Sequence, residues 1–314
     1  MNDNLIVSVS PHYHKQGATT QRVMLDVLIA LCPALIASWL IFGFRSLVLV
    51  AVSSANCVLL ETVWNRLMKK TDTVSDLSAV VTGVLIAFNV PVTMPLWQLL
   101  IGDFIAIIIV KMLFGGIGCN FINPAMAGRV SMMLSFTTSM TAYQTAVAKV
   151  DVLSSATPLS AIADKTLHID SLGALLLGQH GGMIGETCAV ALILGGVYLC
   201  VRGVIKPTIP VCYVATVFVF TFLFNGFNAE AALLSLFSGG LMLGPIFMAT
   251  DYVTSPMTEQ GRVIFAVGCG FLTVCIRLFA NSMEGVSFAV ILMNLVVPYI
   301  NDGTRTKPLG GVRE

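Results

Sequence analysis

The sequence predicts an all-α polytopic membrane protein with about ten transmembrane helices, arranged as an inverted repeat of five plus five. Three observations predict this class. The 314 residues are 56% hydrophobic and only 11% charged, whereas soluble domains carry roughly 25% charged residues. Ten apolar segments follow one another, and most approach the ~20 residues that cross a hydrocarbon core. A polar stretch, 143–183, separates five of these segments from the other five.

Two of the predicted spans are interrupted, and they occupy corresponding places in the two halves. The spans are 24–44, 47–67, 77–90, 96–114, 124–142, 184–203, 208–225, 229–249, 261–280 and 285–300. The third runs into "FNVPVTMP" and the eighth into "GPIFMATDYVTSP". Because five is odd, the halves would be inverted, and paired broken helices indicate a site near the bilayer midplane. The alternative is two ordinary kinked helices.

The basic residues predict the orientation. With the N-terminus in the cytoplasm, twelve of the seventeen Lys and Arg residues fall on the inner side and four on the outer side, as the positive-inside rule requires. Both termini are then cytoplasmic, and 143–183 is extracytoplasmic. We therefore expect one integral membrane domain over 1–314, with repeats at 1–142 and 184–300 and a cytoplasmic tail at 301–314.

Composition and missing motifs exclude several functions. The net charge of +1 argues against a nucleic-acid partner. The eight cysteines form no CxxC pair, and no firm metal site is evident. The chain has no P-loop, no GxSxG, no HExxH and no GxGxxG after a strand, so no catalytic residue of a soluble enzyme is predicted. Transport, a bound organic cofactor, or both remain.

The segment "GGIGCNFINPAMAGR" is dense in small and amide residues at a membrane boundary. Its glycines allow a backbone or a planar ligand to approach closely. Asn120 and Asn123 offer hydrogen-bond donors and acceptors. Arg129 would lie inside the following helix, where an arginine normally faces a partner or a cavity. Its structural alternative is pairing with a carbonyl group or with Asp103.

Three further polar residues, Asp103, Asp251 and Thr250, are candidates for a cation path. Asp103 lies in an apolar span and is a candidate cation ligand, proton acceptor or helix-packing hydrogen bonder. Lys111, two turns on, is expected to extend its ammonium group to the inner surface. Asp251, beside Thr250, ends the broken eighth span, and oxygen-rich clusters of this kind suit Na⁺ or ligand hydroxyls.

The polar stretch contains "DVLSSATPLS", residues 151–160. Ser, Thr, Asp and Pro are ordinary loop residues, so these ten residues alone indicate only a loop. Two companion motifs change this interpretation. "GGIGCNFINPAMAGR", "SSATPL" and "FMATDYVTSP" occur in this order along ten spans. With these motifs the chain resembles, over nearly its whole length, the family of Rnf D subunits and of B subunits of Na⁺-pumping NADH:quinone oxidoreductases.

The resemblance implies a cofactor. Members of this family carry FMN joined by a phosphoester to a threonine hydroxyl, which a flavin transferase installs. The matching residue is Thr157, within a motif formed by Ser154, Ser155, Ala156 and Pro158; Ser155 replaces the glycine usual in the family. Asn120, Asn123 and Arg129 are candidate flavin contacts. A second, non-covalent flavin such as riboflavin is also compatible with the resemblance.

The resemblance also implies a function and a fold. The fold is an inverted repeat related to urea and ammonium channels, in a bacterial inner membrane. The chain would pass electrons from ferredoxin towards NAD⁺, coupled to Na⁺ or H⁺ export, as a translocase subunit that is not catalytic alone. Its partners would be Rnf subunits A, B, C, E and G, the flavin transferase and membrane lipid. A cofactor-free channel or secondary transporter and a purely structural assembly subunit are the alternatives.

Overall fold

The protein is described by a computed structural model that covers residues 19–70, 73–143, 181–237, 239–279 and 285–305, with the single positions 173, 176 and 178. All regular structure in these residues is helical. The helices are α1 (Thr20–Phe42), α2 (Phe44–Leu67), α3 (Ser78–Phe88), α4 (Leu96–Phe104), α5 (Pro124–Ser135), α6 (Thr137–Met140), α7 (Ala189–Arg202), α8 (Thr208–Phe224), α9 (Ala229–Phe237), α10 (Glu259–Phe279) and α11 (Gly285–Thr304).

Four of the described helices, α1, α2, α10 and α11, are long and apolar enough to cross a membrane. Three shorter apolar helices, α3, α7 and α8, accompany them. Large apolar side chains point outwards from several of these helices; Leu40 and Val201, for example, are 75% and 80% exposed. A soluble monomer rarely exposes so much contiguous apolar surface. The fold is therefore that of a polytopic all-α membrane protein.

Both predicted interruptions are present. Helix α3 has 11 residues and ends at Phe88, which at 1.5 Å per residue is too short to cross the hydrocarbon core. The eighth predicted span is divided into α9, a short turn at Gly239–Leu241 and a π-helical segment at Gly244–Met248. A second π-helical segment, Ile105–Met112, continues α4. π-Helical segments are rare in proteins, and those that do occur are often found at functional sites.

The predicted sixth span begins differently in the structure. Regular helix starts only at Ala189, and residues 181–188 are non-helical although most of them are buried. The amide of Ile184 donates to the carbonyl of Val90 at 3.1 Å, and that of Gly185 to the carbonyl of Phe88 at 2.9 Å. This segment thus satisfies its backbone groups on the chain that leaves α3, as buried backbone must.

Corresponding helices of the two predicted halves are in contact. Helix α1 packs along α7, and α5 packs against α11. Close approach of α1 and α7 depends on Gly195, because a Cβ atom there would lie 2.2 Å from the carbonyl oxygen of Ala30. Between these pairs, the short helix α3 lies against α2 and α5. The interrupted segments therefore lie inside the helix bundle.

Candidate functional site

One cavity, mostly apolar but with several polar groups in its wall, lies at the end of the bundle where α1, α3 and α5 begin and α7 ends. Its walls combine aliphatic and aromatic side chains with amide, hydroxyl, ammonium and carboxylate groups. The residues that line it include Val27, Ser78, Thr82, Leu85, Lys111, Asn120, Asn123, Phe247, Thr250 and Asp251. The motif "GGIGCNFINPAMAGR" and the motif "FMATDYVTSP", far apart in sequence, thus meet at one site.

Asn123 joins these two motifs. Its side-chain oxygen caps α5 by accepting hydrogen bonds from the amides of Ala125 at 3.0 Å and Met126 at 3.2 Å, as expected of an Asn before a helix that begins with proline. Its side-chain nitrogen donates to the carbonyl of Met248 at 3.1 Å. Asn120 lines the same cavity, and its amide donates to the carbonyl of Ile122.

Thr250 and Asp251 follow directly after the π-helical segment Gly244–Met248. The hydroxyl of Thr250 donates to the carbonyl of Ile246 at 2.6 Å. The Asp251 carboxylate accepts from the amide of Val253 at 3.2 Å and from the hydroxyl of Thr254 at 3.4 Å. Both predicted residues therefore line the cavity on a turn that their own hydrogen bonds hold.

The prediction that Lys111 extends to the membrane surface is wrong. Its side chain is only 4% exposed, and its ammonium group forms an ion pair with Glu61 of α2 at 2.7 Å. It also donates to the hydroxyl of Ser78 at 2.6 Å. Thr73 donates to the other Glu61 oxygen at 2.5 Å. The ammonium is held at the cavity wall because its hydrogen-bond partners lie within the bundle.

Arg129 is buried but does not line the cavity. Its guanidinium forms an ion pair with Glu186 at 2.7 Å and donates to the side chain of Asn89. Neither partner is Asp103, the structural alternative considered from the sequence. A Cβ atom on Gly240 would lie 2.7 Å from the Glu186 carboxylate and 3.0 Å from the guanidinium. We call Asn89, Arg129, Glu186 and Gly240 the central cluster.

Asp103 lies apart from both the cavity and the central cluster. Its carboxylate accepts hydrogen bonds from the hydroxyl of Ser53 at 2.7 Å and from the amide of Asn56 at 3.0 Å. Both donors belong to α2, and Ser53 also lies 2.9 Å from the carbonyl of Gly83 on α3. This geometry ties α2, α3 and α4 together, as a helix-packing hydrogen bonder would.

Sequence reasoning missed Glu61 and Glu186. Both are acids near predicted span boundaries, and each could have been sought as the partner that a buried lysine or arginine requires. Among the described residues, no group of three His, Cys, Asp or Glu side chains is placed to hold a metal ion. Thr157 and its neighbours Ser154, Ser155, Ala156 and Pro158 lie outside the described residues.

The helices and cavity define a polytopic, all-helical membrane protein whose interrupted helices lie beside a cavity of mixed lining. Comparison with known families identifies it further. The model of the NQR2, RnfD, RnfE family matches residues 6–310, and the chain belongs to this family.

Three similar proteins cover nearly the whole chain. The D subunit of the Na⁺-translocating ferredoxin:NAD⁺ oxidoreductase complex of Acetobacterium woodii is 43% identical over 99% of this chain and 97% of its own. The D subunit of the proton-translocating ferredoxin:NAD⁺ oxidoreductase complex of Clostridium ljungdahlii is 36% identical over 97% and 96%. The D subunit of the ion-translocating oxidoreductase complex of Actinobacillus succinogenes is 33% identical over 96% of each chain.

Proposed function

We propose that this chain is the D-type membrane subunit of an ion-translocating ferredoxin:NAD⁺ oxidoreductase complex. It carries covalent FMN at Thr157 and passes electrons in steps coupled to Na⁺ or H⁺ export. The observation that carries the proposal is the match to the family over 6–310, together with relatives named as such subunits. These relatives differ in the ion named, which is Na⁺ for one complex and the proton for the other.

FMN at Thr157 rests on the motif "SSATPL". The threonine hydroxyl would form a phosphoester with the flavin phosphate. An isolated threonine hydroxyl is a poor nucleophile, so a flavin transferase would install the group, and an outer loop gives that enzyme access. FMN accepts one or two electrons and so joins one-electron and two-electron carriers. Tethering the phosphate keeps the cofactor on the outer side of the membrane.

The cavity is the place we propose for a second, non-covalent flavin. Its mixed lining suits the group: Phe247 and Leu85 offer apolar contact, while Asn120 and Lys111 offer hydrogen-bond donors. Asn123 is largely engaged in capping α5 and binding Met248, so its role would be to shape the wall. Arg129, engaged in the central cluster, would support the wall rather than contact the ring.

Ion coupling is proposed to involve Asp251 with Thr250 at the cavity, and Asp103 within the bundle. The test is to replace each carboxylate in the assembled complex, as Asp251→Asn and Asp103→Asn, and to measure ion transport during electron transfer. We expect Asp251→Asn to weaken transport, because an uncharged amide binds a cation less strongly. Unchanged coupling in both variants, with normal assembly, would reject this part of the proposal.

The proposed architecture is ten transmembrane helices in two inverted repeats of five, related to urea and ammonium channels. Contact of α1 with α7 and of α5 with α11 supports it, since equivalent helices of two repeats meet around a shared axis. In this arrangement both termini face the cytoplasm of a bacterial cell and Thr157 faces outwards. Rnf subunits A, B, C, E and G are the proposed partners.

The interrupted helices beside a cavity also fit a second function, a cofactor-free channel or secondary transporter. Solute flux through the purified subunit in liposomes, with no bound flavin, would favour it over the redox function.

The deciding experiment is the mass of the intact chain, with fluorescence of the denatured band on a gel. We expect one FMN phosphoester on the 151–165 region. Thr157→Ala should abolish the mass increment and the fluorescence, while the matched controls Ser154→Ala and Ser160→Ala should keep both. An unmodified chain, taken from a host that supplies the flavin transferase, would contradict the proposal.

A further inference from the structure

Residues 181–188, at the C-terminal end of the polar stretch and just before α7, are mostly buried in the membrane domain. Ile184 and Gly185 pair with the backbone of Val90 and Phe88, at the end of the first interrupted helix. A Cβ atom on Gly185 would lie 2.3 Å from Phe88, so the segment lies directly against that side chain. The next residue, Glu186, is in the central cluster.

The central cluster joins this segment to both interrupted helices. Arg129 of α5 contacts Glu186 at 2.7 Å and also Asn89, the residue that follows α3. Gly240, in the interruption of the eighth span, packs against the ion pair. All of these side chains are buried. Because separating a buried ion pair leaves a charge without compensation, these elements are expected to move together.

From the central cluster, contacts continue to the cavity. The amide of Asn89 lies 3.5 Å from the sulfur of Met248, and the Met248 carbonyl accepts from Asn123 at 3.1 Å. Thr250, two residues further on, lines the cavity. Helix geometry gives the same connection, since Ala125 lines the cavity and Arg129 lies one turn further along the same face of α5.

We propose that the Glu186–Arg129 ion pair couples the outer stretch to the cavity, and we call this pair the joint. A continuous set of packed contacts can carry energetic coupling between distant sites, and such a set runs from Glu186 through Arg129, Asn89 and Met248 to Thr250. The inference rests on the proposed function in two respects: the outer stretch is taken to carry the redox group, and the cavity is taken to handle the transported ion. The joint then sets how many ions the complex moves per electron.

The test is Glu186→Gln in the complete complex, reconstituted in liposomes and supplied with reduced ferredoxin and NAD⁺. We expect flavin on Thr157 and electron transfer to persist, while ions moved per electron fall by about twofold or more, the lower end of such coupling effects. Glu259→Gln is the matched control, because Glu259 pairs with Lys206 on the exposed surface. Its stoichiometry should equal that of the wild type.

Hydrogen exchange gives a readout that does not depend on the flavin. The amides of Ile184 and Gly185 should exchange about tenfold faster in Glu186→Gln, because local opening of the segment becomes easier. If that variant does not assemble, the double variant Arg129→Gln/Glu186→Gln can replace it. It removes both charges of the pair, so that no arginine is left without its carboxylate partner. We expect the same loss of coupling.

The outcomes separate the inference from the proposed function. Unchanged exchange at Ile184 and Gly185, or an unchanged ion-to-electron ratio, in either assembled variant would overturn the joint. Absence of flavin from the wild-type chain would instead overturn the proposed function. Faster amide exchange at Ile184 and Gly185 in the variant would in that case still support the joint. Glu186→Asp, which keeps the charge on a shorter side chain, should recover part of the coupling.

Discussion

Charged side chains inside this bundle form ion pairs and hydrogen bonds with other side chains instead of being solvated by water. Lys111 has Glu61 and Ser78, Arg129 has Glu186 and Asn89, and Asp103 is held by hydroxyl and amide donors of α2. Each group would be costly to bury alone. The partners therefore explain how a chain with so few charges can keep several of them inside a membrane domain.

The Lys111–Glu61 pair leads to a prediction about stability. Lys111→Met leaves the Glu61 carboxylate buried without its ammonium partner, and we expect it to lower the free energy of unfolding by about 3–5 kcal/mol. The measurement is thermal unfolding of the detergent-solubilised chain, followed by exposure of its buried thiols. Lys111→Met/Glu61→Gln, which removes both charges, should recover much of the loss.

A matched surface control uses the same substitution at Lys206. This lysine pairs with Glu259, but both side chains are more than half exposed, and water and salt weaken such pairs. Lys206→Met should leave the unfolding temperature nearly unchanged. If the two variants unfold at the same temperature, burial does not decide the strength of the Lys111–Glu61 pair.

At the scale of helices, close packing depends on glycines that face neighbouring backbone. Gly83 of α3 lies against the backbone of Ser53 and Ser54 on α2, and Gly195 of α7 lies against the carbonyl of Ala30 on α1. Small residues at helix contacts are the usual means of close approach in membranes. The contact of α1 with α7 is the more informative of the two, because it joins the two predicted repeats.

Gly195→Ala should disturb that contact. Its Cβ atom would lie 2.2 Å from the Ala30 carbonyl oxygen, a backbone atom that cannot turn away, so α1 and α7 must separate. We expect a loss of about 1–3 kcal/mol of stability, as for other overpacked sites, measured by the same thermal unfolding. Gly303→Ala is the control, because a Cβ atom there meets nothing within 4 Å; equal losses would contradict the packing argument.

An element can be predicted from the sequence when the residues that stabilise it are close to it along the chain, and cannot when they are distant. Apolar length alone predicts α1, α2, α10 and α11, because each is a continuous run of spanning length. The start of α7 could not be predicted, since the amides of Ile184 and Gly185 bond to carbonyls at the end of α3, almost a hundred residues earlier. The burial of Lys111 depends likewise on Glu61, fifty residues away. Asn120, Asn123, Thr250 and Asp251 were predictable as members of motifs, but their meeting in one cavity was not.

At the scale of the whole molecule, the pairing of α1 with α7 and of α5 with α11 places equivalent ends of the two predicted repeats together. The cavity then lies where both repeats contribute, with Asn120 from the first and Asp251 from the second. A repeat of five spans begins on one side of the membrane and ends on the other. The second repeat therefore begins on the side opposite to the first, and its helices run in the opposite direction.

The proposed inverted topology places the polar stretch and the C-terminal tail on opposite sides of the membrane. A cysteine introduced as Ser160→Cys should react with a membrane-impermeant thiol reagent in intact cells, and one introduced as Arg305→Cys should react only in inverted vesicles. The chain without introduced cysteines gives the background from its eight natural ones. Ser160 follows five predicted spans and Arg305 follows ten, so the two must lie on opposite sides. Reaction of both from the same side would mean that the second repeat crosses the membrane an even number of times, which is incompatible with two inverted repeats of five helices.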